Sequence, residues 1–325
     1  MPVVPATPEA TRQAAHALAR GDIVAFPTET VYGLGANALD GTAVAKVFAA
    51  KERPRFNPLI VHVLGLAEAE AYALLDGTAR KLAEAFWPGP LSLVLNKRAG
   101  CPIADLVTAG LGTIALRAPA HKVARALLAE AKLPIAAPSA NRSGRLSPTT
   151  AAHVKAELGE RPAMILDGGP CTLGLESTVV SLAGPAPSLL RSGALPREAI
   201  ETMLGRALAS AKRDAAIASP GQFATHYAPS TPLRLGATTV HRNEALLAFG
   251  PDVPHGALAT INLSTSGDLH EAASKLFGAL RELDRAGAIA IAVMPIPARG
   301  LGEAINDRLQ RAACSTSPRR ASDQS

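Results

Sequence analysis

Aromatic residues make up only 3% of the 325-residue chain, with a single tryptophan among them. The core must therefore be filled by alanine, leucine, valine and isoleucine. A stacking platform for single-stranded bases has little material. Cysteine is also scarce. Cys101, Cys171 and Cys314 stand far apart and form no CxxC pair, which argues against a disulfide framework or zinc site and for a reducing compartment. The longest apolar stretch, AIAIAVMPIP (288–297), is too short to span a bilayer and contains prolines. The N-terminus, MPVVPATPEATRQAAHALARGD, lacks the continuous apolar segment of a secretory leader. A soluble, cytoplasmic protein with no membrane partner is expected. There is no GxxxxGK[ST] loop and no HExxH, and the eight histidines are scattered. No protein-bound metal is expected, and no Ser-His-Asp or Cys-His order singles out a nucleophile.

What is present suits a globular enzyme. Hydrophobic residues reach 48% against 18% charged, and the length fits one large domain or two ordinary ones. The net charge of +6 suits an anionic ligand or a diffuse nucleic-acid field. Helical segments are expected at 9–20, closed by Gly21, and at 42–51, 67–76, 78–86 and 148–158. Short apolar strands alternate with them at 59–63, in GTIALRAP, in LPIAAPSAN and in AMILDGG, and STVVSLAG with PSLLRSG reads as a hairpin. This alternation is an α/β pattern. An alanine-rich helix is expected near 200–218, then a Pro/Gly linker at 219–232, then a second βαβ-like unit.

Three segments carry candidate chemistry. PTETVYGLG (27–35) packs two threonine hydroxyls, a carboxylate and a phenol into six residues, which suits either a capped polar loop or a loop that binds a small polar ligand. KERPRFNPL (51–59) sets three cations around prolines that stiffen the loop. Its two readings are a solvated charged loop and a phosphate site, with arginine suited to bidentate contact. APSANRSGRLSP (137–148) places serines and an asparagine just after a strand, the usual place for ligands in α/β sheets. GLGANA (33–38) formally matches a dinucleotide fingerprint, but Asp40-Gly41 interrupts it before the next helix, so its glycines read as serving a tight turn.

Lys51-x-Arg53 and Ser139-Ala140-Asn141 occur together with FPTETVYGLG, NPLIVHV, FWPGPLSLVL and LGLESTVV. Jointly these resemble the YrdC/Sua5 family of threonylcarbamoyl-AMP synthases, over residues 9–205. The SPG…HYAP segment and GLGEAINDRLQRAA resemble the long Sua5 type with a C-terminal domain. The resemblance implies a twisted, open, mixed α/β sheet with flanking helices and a basic cavity, followed by a smaller Rossmann-like α/β domain. Boundaries are expected at 1–205 for the catalytic domain, 206–232 for a linker or lid, 233–312 for the C-terminal domain and 313–325 for a disordered tail.

The implied reaction joins L-threonine, bicarbonate and ATP into threonylcarbamoyl-adenylate and pyrophosphate, with Mg²⁺ arriving on the nucleotide. The product would feed a downstream tRNA threonylcarbamoyltransferase that makes t6A at tRNA position 37. By the same resemblance, Lys51 and Arg53 are catalytic, and Thr30, His62, Arg117 and Ser177 hold threonine. Arg53, Asn57, Thr113, Ser139, Asn141, Ser147, Arg191 and Tyr227 hold ATP. Two positions depart from the family pattern: Ala137, where relatives often carry threonine, and Ala224, where several carry an aromatic. Phe223 and Tyr227 supply the rings near the latter, and Tyr227 is the lid residue chosen. Two other readings are a weak RNA-binding module, which the low aromatic content disfavours, and a paralogue with a different carbamoyl acceptor.

Overall fold

A computed structural model describes residues 2–54, 56–210 and 227–316. Arg55 and the segment 211–226, including Phe223 and Ala224, lie outside the described residues. The chain divides into two compact units. Of the described residues, 2–143 and 147–210 form the first, and 144–146 with 227–316 form the second.

The first unit opens with β1 (Val3–Pro5), α1 (Pro8–Ala19), β2 (Val24–Phe26), β3 (Gly33–Asn37), α2 (Gly41–Lys51) and β4 (Ile60–His62). Next come α3 (Leu66–Ala69), α4 (Gly77–Phe86), β5 (Leu91–Asn96), α5 (Asp105–Thr108), β6 (Thr113–Arg117) and α6 (Lys122–Ala131). It ends with β7 (Ile135–Ala136), α7 (Ala151–Leu158), β8 (Met164–Asp167), β9 (Thr178–Ser181), β10 (Ser188–Arg191), α8 (Arg197–Leu204) and β11 (Ala209–Ser210). The local sequence explains these boundaries. Thr7 caps α1 by accepting from the Ala10 amide at 3.1 Å, with Pro8 in the first turn. Asp40 and Thr150 do the same for α2 and α7.

The eleven strands form one mixed sheet in the order β1-β8-β2-β3-β7-β4-β6-β5-β9-β10-β11. Side chains alternate between its faces, and the two faces are covered differently. On one, Ala25, Leu34, Val61, Leu93, Leu116 and Val180 join the main core with residues of α2, α4 and α5. On the other, α1 and α6 cover β2, β7 and β8 through Leu18, Phe26, Leu127, Ile135 and Leu166. Further along this second face the apolar cluster is small and made of strand residues alone: Ile60, Val94, Ala115 and Val179, with Leu190 beside them. This strand-built floor lies where the polar site residues gather.

The second unit contains β12 (Leu233–Leu235), β13 (Glu244–Ala248), β14 (Ala259–Asn262), α9 (Leu269–Leu283), β15 (Ala290–Val293) and α10 (Leu301–Thr316). Its sheet is wholly parallel, in the order β12-β15-β13-β14.

Several elements differ from the sequence expectation. Residues 33–37 are strand β3, paired with β2 and β7, and not a turn. Gly35 serves close packing there, since a Cβ would lie 2.7 Å from Ile135 and 2.8 Å from Phe26. The helix expected at 67–76 stops at Ala69, because Leu74 donates to the Asn96 carbonyl at 2.9 Å and Ala73 bridges to Lys97. The helix expected near 200–218 ends at Leu204, where Gly205 adopts φ 69°. Within the expected tail 313–325, α10 continues to Thr316 and the remainder is outside the described residues.

Gly35→Ala is expected to lower stability to urea unfolding by about 1–3 kcal/mol, the scale of core overpacking. Pairing it with Ile135→Ala should give a loss smaller than the sum of the two single losses. Additive losses would mean that the Ile135 contact is not what excludes the methyl.

Candidate active site

The site is built from rows of side chains across the second face. β4 and β6 run parallel with His62 opposite Arg117, and β5 runs antiparallel to β6 with Leu93 opposite Leu116. That register sets Ser92 level with Arg117. One polar row therefore crosses three strands: His62, Arg117, Ser92. Two residues back along each strand lies an apolar row of Ile60, Ala115 and Val94. Beyond it, Thr113 is level with Pro58, next to Asn57. The two polar ends are about 13 Å apart, four strand residues at 3.3 Å each. The four threonine-site candidates divide between the first row and its neighbours, while Asn57 and Thr113 of the ATP set occupy the other end.

At the first end Arg117 is 4% exposed. Its Nη1 donates to Thr30 Oγ1 at 2.9 Å, its Nη2 to Glu29 Oε1 at 2.5 Å and its Nε to the Gly89 carbonyl at 3.3 Å. Thr28 donates to the Val31 carbonyl at 2.7 Å, so the 2.7 Å contact between Thr28 and Thr30 must carry the Thr30 proton. The chain of donors thus runs from Arg117 to Thr30 to Thr28 and fixes each hydroxyl. Burial raises the pKa of Glu29, but the Arg117 charge and hydrogen bonds outweigh it and hold the carboxyl below its ordinary value. His62 stands edge-on to Phe26 at 6.2 Å. Burial, reinforced by the Arg117 charge, pushes its pKa down to about 3. Its buried Nδ1 has no hydrogen-bond partner among the described residues.

The loop residues converge through hydrogen bonds. Lys51 Nζ donates to the Ser139 carbonyl at 2.5 Å and also to that of Asn141, tying the Lys-x-Arg segment to Ser-Ala-Asn. Burial drives the Lys51 pKa well below the ordinary lysine value, with Arg53 adding to the effect and Glu157 opposing it. Arg53, itself buried, donates to the Asn57 and Pro58 carbonyls at 3.4 and 3.1 Å. The Asn57 side chain is 1% exposed, yet neither its oxygen nor its nitrogen meets a partner among the described residues. Buried amides in folded proteins are almost always hydrogen-bonded, so Asn57 is a candidate for a ligand contact. Ser139 bridges to Gly33, and the Ala140 amide donates to the Tyr32 carbonyl at 2.8 Å, so this loop abuts the threonine-rich one.

A third group links the sets. Ser147 donates to the Glu176 carboxylate. Arg191 Nη2 donates to Ser177 Oγ at 3.1 Å and to the Ser177 carbonyl at 2.8 Å, and Ser92 Oγ lies 2.8 Å from Ser177 Oγ. Ser177, a threonine candidate, and Arg191, an ATP candidate, are therefore in direct contact. Tyr227 belongs to the second unit, where its ring stacks on Phe277 at 5.9 Å with Arg308 4.7 Å from its centroid. Its expected place at the nucleotide rests on the resemblance alone.

Sequence reasoning passed over Glu29, Ser92 and Glu176. Glu29 and Glu176 sit inside quoted motifs beside assigned residues, and Ser92 is a lone hydroxyl in an otherwise apolar strand. That last signal is the same one that marked His62. In this unit the buried cations are Lys51, Arg53, Arg117 and Arg191, against the carboxylates Glu29 and Glu176. The excess is positive, which favours a polyanionic ligand.

Because the His62 pKa is depressed, the unfolded chain takes up its proton first. Stability is therefore lost as pH falls from the ordinary value of 6.5 toward 3. Wild-type protein should lose about 2 kcal/mol more than His62→Gln between pH 7 and pH 5 in denaturant titrations. Equal losses would show that His62 is protonated in the folded protein.

Comparison with known proteins places the chain in a family. A family model for Sua5, YciO and YrdC, described as telomere recombination, matches residues 16–193. A second, described as the C-terminal domain of threonylcarbamoyl-AMP synthase, matches 195–314. The threonylcarbamoyl-AMP synthase of Pyrococcus abyssi is 42% identical over 320 residues, 93% of each chain. That of Bacillus subtilis is 40% identical over 322 residues, 93% of this chain and 92% of its own. The crystal structure of P. abyssi Sua5 complexed with L-threonine superposes with a TM-score of 0.88 at 37% identity, covering 95% of this chain and 96% of that one. With both family models matched and a structural likeness that covers 95% of it, the chain belongs to the Sua5/YciO/YrdC family, in the form that carries the Sua5 C-terminal domain.

Proposed function

We propose that this protein is an L-threonylcarbamoyladenylate synthase. The observation that carries the reading is the two-ended polar face: Arg117, His62 and Thr30 at one end, the Asn57 amide, without a partner among the described residues, and Thr113 at the other, with Ser177 touching Arg191. The likeness to threonylcarbamoyl-AMP synthases, and to a Sua5 that holds L-threonine, supports it. In this reading the threonine amine takes up bicarbonate with loss of water to give a carbamate. A carbamate oxygen then attacks the α-phosphorus of ATP, and the bond from that phosphorus to the α,β-bridging oxygen breaks to release pyrophosphate.

Two anions must meet in that step, so their repulsion is the barrier. The chain's part is to bind both substrates in line and to supply fixed positive charge. Arg117 and Thr30 hold the amino acid. Lys51, Arg53, Asn57 and Thr113 hold the nucleotide, together with Ser139, Asn141, Ser147 and Arg191. Arg191 stands where the two sites join. The buried carboxylates are engaged by Arg117 and Ser147, so Mg²⁺ belongs with the triphosphate in this reading. The labile mixed anhydride would be consumed by a tRNA threonylcarbamoyltransferase making t6A at position 37.

Pyrophosphate release from ATP should require threonine and bicarbonate together. Release that ignored either would sink the reading. Asn57→Ala should weaken ATP binding about tenfold, the worth of one lost hydrogen bond to a charged group. It should leave thermal stability unchanged or raised, because the buried amide has no partner to lose among the described residues. Unaltered ATP affinity would remove Asn57 from the nucleotide site.

A further inference from the structure

The carboxylate of Glu29 is 7% exposed overall and fully engaged. Oε1 accepts from Arg117 Nη2 at 2.5 Å. Oε2 accepts from the backbone amides of Ala120 and His121 at 3.0 and 3.3 Å, at the start of α6. A negative charge is favoured at that helix end. The residue's own carbonyl takes the Leu173 amide at 2.8 Å. Glu29 therefore joins the end of β6, the start of α6 and the 172–173 segment to the loop that bears Thr30.

For Arg117 the consequence is geometric. Its guanidinium has five N–H groups, and the bonds to Gly89, Thr30 and Glu29 engage one on each nitrogen. One N–H remains on each terminal nitrogen. With three acceptors on three nitrogens, the plane and rotation of the group are determined. We propose that Glu29 is a positioning residue for the amino-acid substrate: it locks the Arg117 guanidinium so that its two remaining terminal N–H groups meet the two oxygens of an amino-acid carboxylate. The proposal rests on the amino-acid site assigned above.

Two effects of Glu29 oppose each other. Its charge lies close enough to Arg117 to weaken attraction for another carboxylate. Its hydrogen bonds orient the arginine. Orientation dominates, because the Glu29 charge is already matched by Arg117 and two backbone N–H groups, whereas a released guanidinium would turn toward other carbonyls. Glutamine has one acceptor oxygen where the carboxylate uses two. Glu29→Gln must therefore give up either Arg117 or the two amides.

The test is calorimetric titration of L-threonine, and separately of ATP, into wild type, Glu29→Gln and Glu29→Asp. Glu29→Gln should weaken threonine by about 10- to 100-fold, the range for one charge-assisted hydrogen bond. ATP affinity should stay within about twofold, inside the error of such scales. Glu29→Asp keeps the charge but is one methylene too short to reach both partners. It should fall between the two, and it supplies the readout if the glutamine variant does not fold. L-Threonine amide, lacking the carboxylate charge, should bind wild type and Glu29→Gln alike. Three results would overturn the proposal: unchanged or tighter threonine binding in both variants, equal weakening of threonine and ATP, or a threonine amide loss as large as that of threonine. Wild-type protein that bound no threonine would overturn the amino-acid site itself, and the proposal with it.

Discussion

Burying positive charge without water is the constraint on which the first unit is organised. Lys51, Arg53, Arg117 and Arg191 are each less than a tenth exposed. An isolated buried cation is too costly to persist without compensation. The fold compensates with groups that cannot move away: the Ser139 and Asn141 carbonyls for Lys51, those of Asn57 and Pro58 for Arg53, Gly89 for Arg117 and Ser177 for Arg191. Arg117 receives a full counter-charge from Glu29 at hydrogen-bond distance. The carbonyls that meet the other three are partial charges, and they fix where each cation stands.

The sheet makes this arrangement affordable by sorting side chains with a period of two. Odd and even positions of β4, β5 and β6 separate a wholly apolar face from one on which polar and apolar rows alternate. Val61, Leu116 and Leu93 anchor each strand in the main core. That leaves His62, Arg117 and Ser92 no freedom to slide. A slip of one residue in β6 would bury Leu116 against the substrate face and drive Arg117 into the core. Hydrophobic register therefore positions the charged group, and packing on one face supplies precision on the other.

Much of this was legible in the chain, for a physical reason. A polar residue inside an apolar strand, as in LIVHV, is conspicuous because burial makes it costly. Three cations crowded around Pro54 are conspicuous because they repel one another. What escaped reading depends on distant partners. Gly35 looks like a turn residue until Ile135 and Phe26 are found pressing on it. Glu29 looks like one more polar loop residue until Arg117, 88 positions away, is found on it. The Ala-rich run after 200 resembles continuous helix, yet one left-handed glycine ends it. Tyr227 was placed from the family pattern, and its ring lies against Phe277 and Arg308 within the second unit.

The alternation of rows also bears on the proposed chemistry. Between the polar ends lie Ile60, Ala115 and Val94, with Val179 beside them. None of these can hydrogen-bond water or substrate through its side chain. A mixed anhydride formed above such a floor meets no side-chain nucleophile from below, and water there lacks partners to hold it. The same floor makes each charged contact at its rim stronger, because less solvent screens it. In the proposed reaction the two ends would recognise the two anions by hydrogen bonding, and Ile60, Ala115 and Val94 would offer water no side-chain partner between them. Across β4, β5 and β6 the hydroxyls of this face, Ser92 and Thr113, stand at the two margins of the strip, and on β9 Ser181 lies level with Val94 at its side.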